Sequence, residues 1–357
     1  MTDAEIPGAG LRGERLRRPG GPVLTGLRRT VTTALLLALV PVAAALLVAV
    51  CVLCAPVSLA TRGPWRPVRI AGFALLYLLA DLAGLVAAAG LWARRLPGRD
   101  DRARRAADAF ALLERLLRVL RRAGERIFRL RVTVTPAPPG GCAHMAAPVL
   151  VFVRHAGVGD SFLLLQTLLS QAGLRPHTVL KRTLRADPAL DVLVGRVPHC
   201  FLPAIGRRAE DAIGDLAAGL GAGDALVIFP EGGNFTPRRR RRAITSLRRR
   251  GLRRRAARAE RMRHVLPPRD AGALAAIAAA PTADVVFVAH TGLDSLHSAR
   301  TVWARLPLRE EVRAHWWRVP ADRVPRGEEA RSEWLLAQWE RVDRWIARHA
   351  DPDATHA

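Results

Sequence analysis

Two long apolar runs near the N-terminus restrict what this chain can fold into more than any other feature. Residues 31–60 carry no charged side chain, and residues 70–93 carry one, Asp81. A helix needs about 20 apolar residues to cross the hydrocarbon core of a bilayer, so each run is long enough. Tryptophans flank the second run, as is typical of side chains at a membrane interface. The sequence therefore predicts a membrane helical hairpin over residues 30–95.

The arginines around these runs predict which side of the membrane the chain ends occupy. Arg28 and Arg29 precede the first run, and Arg94 and Arg95 follow the second. Because basic loops stay in the cytoplasm, this favours a cell-membrane protein whose remaining domain is cytoplasmic. The connection between the runs is also basic, and a charge such as Asp81 is costly inside a bilayer. A monotopic hairpin that dips into one leaflet is therefore the alternative.

The rest of the chain divides by composition and periodicity. Residues 1–29 are polar and arginine-rich, which predicts a disordered basic tail. Residues 96–130 predict an amphipathic linker helix, which either lies on an anionic membrane surface or packs on the domain that follows. We assign residues 131–310 to the main folded domain. Residues 311–357 are assigned to a C-terminal helical segment with an apolar stripe.

The main domain alternates short apolar strands with helices. The predicted strands are residues 149–153, 178–180, 225–229 and 284–289. Helix-like stretches separate them, for example residues 162–172 and 210–220. Short buried strands separated by helices are typical of an α/β domain with a largely parallel sheet.

Polar residues follow each of these strands. They are, in order, Arg154 and His155, then Lys181, then Glu231 with Gly232 and Gly233, then His290. Ligands of open α/β sheets bind beyond the carboxyl ends of the strands, so we expect these residues at one edge. Lys181 is the only lysine of the chain, and its compact charge suits a phosphate. His290 either lines a substrate site or caps a strand end.

His155 and Asp160 form the most specific pair at this edge. Five positions apart on a regular helix, their side chains would point in different directions. Gly157 and Gly159 lie between them and permit a bend that other residues resist. The carboxylate could then bind the imidazole and leave the other ring nitrogen as a general base. The alternative is that Asp160 only caps the helix that follows.

HAGVGD (residues 155–160) together with FPEGG (residues 229–233) resembles the boxes of the glycerophospholipid acyltransferase family, lysophosphatidic acid acyltransferase type. That family has a basic phosphate-binding segment between the two boxes; Lys181 and Arg182 are the best placement, with Arg207 and Arg208 as alternatives. Two departures put the acceptor in doubt. Arg154 stands where the family has asparagine. Gly233, Asn234 and Phe235 follow FPEG where the family has threonine or serine and then arginine. Arg154 is thus the residue most expected to shift the substrate.

The resemblance implies an acyltransferase domain over residues 131–310 that needs no cofactor and no metal. The acyl chain would move from acyl-CoA or acyl carrier protein to the hydroxyl of a lysophospholipid, first of all 1-acylglycerol-3-phosphate, in phospholipid biosynthesis. His155 would deprotonate the hydroxyl, Asp160 would orient His155, and Glu231 and Gly232 would position the acceptor. Gly233, Lys181, Arg182 and His290 complete the substrate-binding set.

The arginine excess allows a second interpretation. The formal net charge is +25, and such a field attracts anionic lipid, phosphorylated substrates or nucleic acid. Residues 238–242 are all arginine, but no aromatic residues for base stacking accompany them, so we expect no nucleic-acid partner. A solvated basic helix is the default interpretation of this run, and contact with anionic lipid head groups or the phosphates of a CoA donor is the alternative. The alternative function is a non-enzymatic basic membrane protein that binds anionic lipid or nucleic acid. A serine hydrolase is disfavoured, because no G-x-S-x-G elbow surrounds Ser161.

Overall fold

The computed structural model of the chain describes residues 21–93, 102–138, 147–157, 159–201, 207–294, 296 and 298–350. The helices are α1 (Pro22–Ala60), α2 (Arg66–Ala93), α3 (Arg102–Phe128), α4 (Asp160–Ser170), α5 (Pro188–Val194), α6 (Arg207–Ala218), α7 (Pro237–Arg249), α8 (Arg253–Arg261), α9 (Asp270–Ala279), α10 (Ala299–Arg305) and α11 (Glu328–His349). The strands are β1 (Val132–Thr135), β2 (Val149–Val153), β3 (Arg175–Leu180), β4 (His199–Phe201), β5 (Asp224–Ile228), β6 (Asp284–Thr291) and β7 (Val312–Val319).

The strands form one seven-stranded sheet in the order β1-β7-β6-β2-β5-β3-β4. All neighbouring pairs are parallel except β6 with β7. The four strands predicted from the sequence are the adjacent central strands β6, β2, β5 and β3. The predicted fold, an α/β domain with a largely parallel sheet behind an N-terminal hydrophobic hairpin, is confirmed.

The central strands are apolar throughout because both faces of the sheet are covered. All five residues of β2 are buried, and alternate side chains of a strand point to opposite faces. Val149, Val151 and Val153 point to one face, where they pack with Leu168 of α4. Leu150 and Phe152 belong to the larger core on the other face, which is built with residues of α6, α7, α8, α9 and α11.

The N-terminal hairpin is present as two helices joined by a short turn. In the described part of the chain, Val23–Ala60 and Arg66–Ala93 are long and apolar enough to cross a membrane. The outer helix α1 leaves most of its large apolar side chains exposed, among them Leu35, Leu46 and Leu53. Exposed apolar surfaces of this extent are typical of sites that contact a membrane or another protein.

The first helix begins earlier than predicted. The disordered tail was predicted to reach residue 29, but α1 starts at Pro22, and proline is favoured at the first position of a helix. Arg28 and Arg29 donate to the Asp191 carboxylate of α5 at 2.8 and 2.7 Å. That ion-pair cluster gives residues 22–29 a fixed place; residues 1–20 lie outside the described part of the chain.

The second helix contacts the α/β domain along its whole length. Near its start, Nε of Arg66 donates to the carbonyl oxygen of Leu306 at 2.9 Å. At its middle, Oδ1 of Asp81 accepts the backbone N–H of Ala189 at 3.0 Å. Near its end, Ala88 is buried in a cluster with residues of α3 and α5. The helix α2 is therefore an inner layer between α1 and the domain.

Two segment assignments are refined by the packing. The amphipathic helix, α3, packs on α2 and α4 and buries Ala109 and Phe110, so the structure follows the packed alternative. The predicted helical segment 311–357 differs from the structure at its start, because residues Val312–Val319 form β7 inside the sheet. The helix α11 buries Trp339 and Ile346 in the main core. No boundary near residue 310 therefore separates a C-terminal segment from the sheet.

Candidate active site

His155 and Asp160 meet at the carboxyl end of β2. Nδ1 of His155 lies 2.6 Å from Oδ2 of Asp160. A carboxylate only accepts, so Nδ1 carries the proton and donates it to Asp160. The lone pair of Nε2 is then free to take a proton from another molecule. The His155 side chain keeps 16% of its surface exposed, whereas that of Asp160 keeps 3%.

Two glycines make this approach possible. Gly159, directly before α4, has φ +94°, a left-handed conformation that side-chain-bearing residues seldom adopt. At Gly157 a Cβ atom would lie 2.3 Å from the carbonyl oxygen of Leu293, which leaves no room for a side chain. The bend predicted between His155 and Asp160 is therefore built from a left-handed turn and a close backbone contact.

The carboxylate of Asp160 is held ionised. Burial alone would raise its pKa, but the hydrogen bond from His155 and the charges of His155 and His290 bring the pKa below its usual range. The backbone N–H groups of Ala156 and Ser161 also donate to it, at 2.9 and 2.5 Å. Asp160 is the first residue of α4 and not its cap, because Gly159 occupies the cap position and no side chain caps the helix. The carboxylate binds His155 and also the start of its own helix.

The loop after β5 supports His155 from the other side. The ring of Phe229 lies against the imidazole with 4.7 Å between ring centroids. The backbone N–H of Phe235 donates to the carbonyl oxygen of His155 at 2.8 Å. This loop therefore fixes both the ring and the backbone of His155.

Glu231 lies beneath the site rather than at its surface. Its side chain is buried, and neither carboxyl oxygen has a hydrogen bond of ordinary geometry. Burial raises its pKa to about 8, although the Arg154 charge and the nearby backbone N–H groups of Leu266 and His155 act in the opposite direction. In this position Glu231 can support the His155 backbone, but it offers no exposed oxygen to an acceptor.

Arg154 is fully buried, which changes its expected role. Its guanidinium donates to the carbonyl oxygens of His290 at 2.8 Å and His264 at 3.0 Å, and pairs with the Asp294 carboxylate at 2.5 Å. All of these groups belong to the domain itself. Arg154, the first residue to examine for a shifted substrate, joins β2 to β6 and to the segment before α9.

An apolar cavity reaches Asp160 of this pair. It runs between α4 and one face of the sheet, along β1, β7, β6 and β2. Apart from Asp160, Thr167 and His290, every lining side chain is aliphatic, aromatic or proline. The lining residues of β2 span Val149 to Val153, about 13 Å at the rise of a strand.

His290 lines this cavity at the same edge as the pair. Its Nε2 donates to the carbonyl oxygen of Arg154 at 3.1 Å, and burial and the Arg154 charge lower its pKa. His290 binds the end of the neighbouring strand and also lines the cavity; its role toward a substrate stays a prediction.

The basic residues of the predicted second segment lie farther away. In the registers of β3, β5 and β2, Thr178 is level with Val227 and Val151, which places Lys181 level with Arg154. Two strand spacings separate them, about 10 Å. Lys181 is exposed and Arg208 is exposed on α6; the side chains of Arg182 and Arg207 lie outside the described part.

Three features of the site escaped prediction: the cavity, the contact of Phe229 with His155, and two arginines against the glycine loop. A Cβ on Gly232 would meet Arg269 at 3.3 Å, and one on Gly233 would meet Arg239 at 2.8 Å. Arg239 lies in an arginine run, where no pattern singles it out. Among the described residues, no group of three or more His, Cys, Asp or Glu side chains could hold a metal ion.

Comparisons with known proteins give a single distant likeness to report. No family model matches the chain, and no curated protein matches it. Among solved structures, the crystal structure of the 1-acyl-sn-glycerophosphate (LPA) acyltransferase PlsC from Thermotoga maritima is similar at 16% identity and a TM-score of 0.45. The similarity covers 77% of this chain and 97% of that chain. So distant a likeness leaves the reaction to be inferred from the site itself.

Proposed function

We propose that this protein is an O-acyltransferase that moves an acyl chain from a thioester to the hydroxyl of a lysophospholipid. One observation carries the proposal: Asp160, which binds His155, also lines an apolar cavity about 13 Å long. A positioned base beside an apolar channel suits a reaction that joins a polar hydroxyl to a hydrocarbon chain. Phospholipid biosynthesis is the process such a reaction serves.

His155 supplies the base that the reaction needs. A hydroxyl is a poor nucleophile at neutral pH, so Nε2 of His155 takes its proton as the oxygen attacks the thioester carbon. The new C–O bond forms, the C–S bond then breaks, and the proton passes from His155 to the leaving thiolate. Asp160 holds the imidazole in the required tautomer and stabilises its protonated form.

The cavity provides the binding site for the acyl chain. Carbon–carbon bonds of about 1.5 Å advance an extended chain by roughly 1.3 Å each, so 13 Å holds about ten methylene groups. Burial of each methylene contributes about 0.8 kcal/mol. His290 lies at the reactive end of this cavity, near the thioester.

The acceptor approaches from the exposed side of the strand ends. Lys181 and Arg182 follow β3, and Arg239 and Arg269 lie against Gly233 and Gly232. Positive charges around a site attract a phosphate head group. The first acceptor to test is therefore 1-acylglycerol-3-phosphate, and the donor is acyl-CoA or acyl carrier protein.

We also propose that the hairpin is monotopic and lies in one leaflet of the cell membrane, with the domain in the cytoplasm. The helix α2 binds the domain from Arg66 to Ala88, so a bilayer-spanning α2 would carry domain residues such as Ala189 into the hydrocarbon core. Polar backbone groups there are costly. A hairpin with α1 immersed and α2 against the domain avoids this cost.

The function is tested by acyl transfer to labelled 1-acylglycerol-3-phosphate in membranes that contain the protein. Wild-type protein should acylate the lipid, and His155→Ala should lose the activity while its unfolding transition is unchanged. Full activity of His155→Ala would exclude the mechanism. Absence of transfer by the wild type, with salt-sensitive lipid or nucleic-acid binding that survives His155→Ala, would favour the non-enzymatic alternative.

A further inference from the structure

One exposed face of α7 carries a row of arginines that have no partner among the described residues. The groove on this face is lined by six side chains: Arg238, Arg241, Arg242, Thr245, Ser246 and Arg249. Its four arginines, which we call the α7 arginine row, are exposed and make no ion pair or hydrogen bond with any described residue. Like charges three and four residues apart on a helix repel one another. An anionic partner from outside the chain would relieve that repulsion.

The neighbouring arginines show that the fold pairs its guanidiniums where it can. Nε of Arg240 donates to the carbonyl oxygen of Met262 at 2.6 Å. Arg248 pairs with Glu260 at 2.5 Å. Both residues lie on α7 beside the row. The row is therefore a distinct unpaired surface within a helix whose other arginines are largely satisfied.

The row begins at the candidate active site and leads away from it. Thr236 caps α7 directly after the loop that supports His155, and its hydroxyl accepts the N–H of Arg239. From Arg238 to Arg249 the helix rises about 17 Å. A partner that lies along the row thus has one end next to the reacting atoms and the rest farther out.

The row lies across the sheet from the membrane hairpin. Ile244 anchors α7 in the core on the face of Leu150 and Phe152. The hairpin reaches the opposite face of the sheet through α3 and α4. A bilayer that surrounds α1 is therefore on the other side of the domain. The phosphates of a free CoA are clustered at one end of that molecule and would engage only part of a row about 17 Å long.

We propose that the α7 arginine row docks the acidic surface helix of a carrier protein, which delivers the acyl chain on a thioester arm. The inference rests on the proposed acyl transfer and names its donor. A carboxylate-rich helix repeats its charges at the same spacing as the row, so several ion pairs form side by side. The start of the row beside His155 directs the arm toward the cavity.

This kind of contact has a recognisable kinetic signature. Exposed ion pairs at the rim of an interface accelerate association and weaken with salt. Each is worth up to about 1 kcal/mol, so three reversed charges should raise the KM for a carrier-bound donor about ten-fold or more. The kcat should stay the same, because no residue of the row touches the reacting atoms.

The test compares two donors that bear the same acyl chain, one on acyl carrier protein and one on CoA. The variant Arg238→Glu/Arg242→Glu/Arg249→Glu should raise the KM for the carrier-bound donor and leave the KM for the CoA thioester nearly unchanged. The matched control Arg300→Glu/Arg326→Glu/Arg348→Glu reverses three exposed arginines outside α7 and should change neither value.

A direct titration of fluorescent acyl carrier protein, at low and high salt, separates this inference from the proposed reaction. Binding that the control retains and the α7 variant loses supports the row even if no acyl transfer is detected. Equal effects on both donors, an unchanged KM for the carrier-bound donor, or activity with CoA alone would each overturn it. So would a variant that loses only its binding to anionic vesicles or nucleic acid.

Discussion

Arg154 and His290 bind each other's backbone across two neighbouring strands. Nη1 of Arg154 donates to the carbonyl oxygen of His290 at 2.8 Å, and Nε2 of His290 donates to the carbonyl oxygen of Arg154 at 3.1 Å. The exchange joins the carboxyl ends of β2 and β6, immediately before His155. The exchange holds the end of β2, which precedes the candidate base His155, beside the end of β6, where His290 lines the cavity.

Replacement of Arg154 should therefore affect stability before substrate choice. In Arg154→Met, the Asp294 carboxylate and the carbonyl oxygens of His290 and His264 no longer have the guanidinium as a hydrogen-bond donor. Loss of one partner of a buried pair costs about 3–5 kcal/mol of unfolding free energy. Denaturant unfolding in detergent, followed by tryptophan fluorescence, measures the loss. The double variant Arg154→Met/Asp294→Asn should lose less than the sum of the two single variants, and strict additivity would contradict the pairing.

Asp160→Asn should lower kcat by about 100- to 10,000-fold, the range of a positioned general base. The amide can donate to Nδ1 of His155, which places the proton on Nε2 and removes the base. Ser161→Ala is the control, because it removes only a 3.1 Å hydrogen bond to Asp160 and any serine nucleophile. Its rate should fall by no more than about ten-fold. An inactive Ser161→Ala beside an active Asp160→Asn would point to a serine mechanism.

The buried carboxyl group of Glu231 should make the free energy of unfolding depend on pH. Its pKa rises from 4.5 in the unfolded chain to about 8 in the folded protein, so the folded state binds more protons between these values. The contribution of Glu231 to the free energy of unfolding is greatest below pH 4.5 and decreases as the pH rises toward about 8. The slope reaches up to about 1.4 kcal/mol per pH unit. Glu231→Gln stays neutral and should show a flatter profile in denaturant unfolding; identical slopes would contradict the buried neutral carboxyl.

The far end of the cavity should limit the length of the acyl chain. Ala172 lines the cavity at the end of β2 opposite to Asp160, near Val149. Ala172→Trp should fill that end, and each excluded methylene costs about 0.8 kcal/mol, so a chain two carbons too long should lose about ten-fold in kcat/KM. A series of donors of increasing length measures the shift. An equal loss for all lengths would mean that the substitution disturbs the fold instead.

The proposed monotopic hairpin is open to a labelling test. In a variant with Cys51, Cys54, Cys142 and Cys200 replaced by alanine, Thr61→Cys leaves a single thiol, which lies in the turn between α1 and α2. A membrane-impermeant thiol reagent should label it from the same side of sealed vesicles as Arg326→Cys, which lies in the domain. Labelling from the opposite side would show that both helices span the bilayer.

Local patterns determined much of this molecule in advance. The apolar runs that became β2, β3, β5 and β6 were recognisable because a strand buried on both faces must be apolar at successive positions. The carboxyl ends of parallel strands lie at one edge of a sheet, which is why His155, Glu231 and His290 converge. The bend between His155 and Asp160 was readable because Gly157 and Gly159 allow backbone that other residues exclude.

Only the tertiary structure decided the rest, because it depends on contacts between residues far apart in sequence. The strand β7 enters the sheet antiparallel to β6 beside β1, a pairing that no local pattern contains. The cavity lies between α4 and the face of the sheet that carries Val149, Val151 and Val153, so its lining comes from segments far apart in sequence. Arg154 is buried because the Asp294 carboxylate and two carbonyl oxygens distant in sequence bind its guanidinium. The α7 arginine row stays unpaired because no acidic side chain among the described residues reaches it. Sequence determines which side chains are available; packing determines which of them face each other, the substrate or another protein.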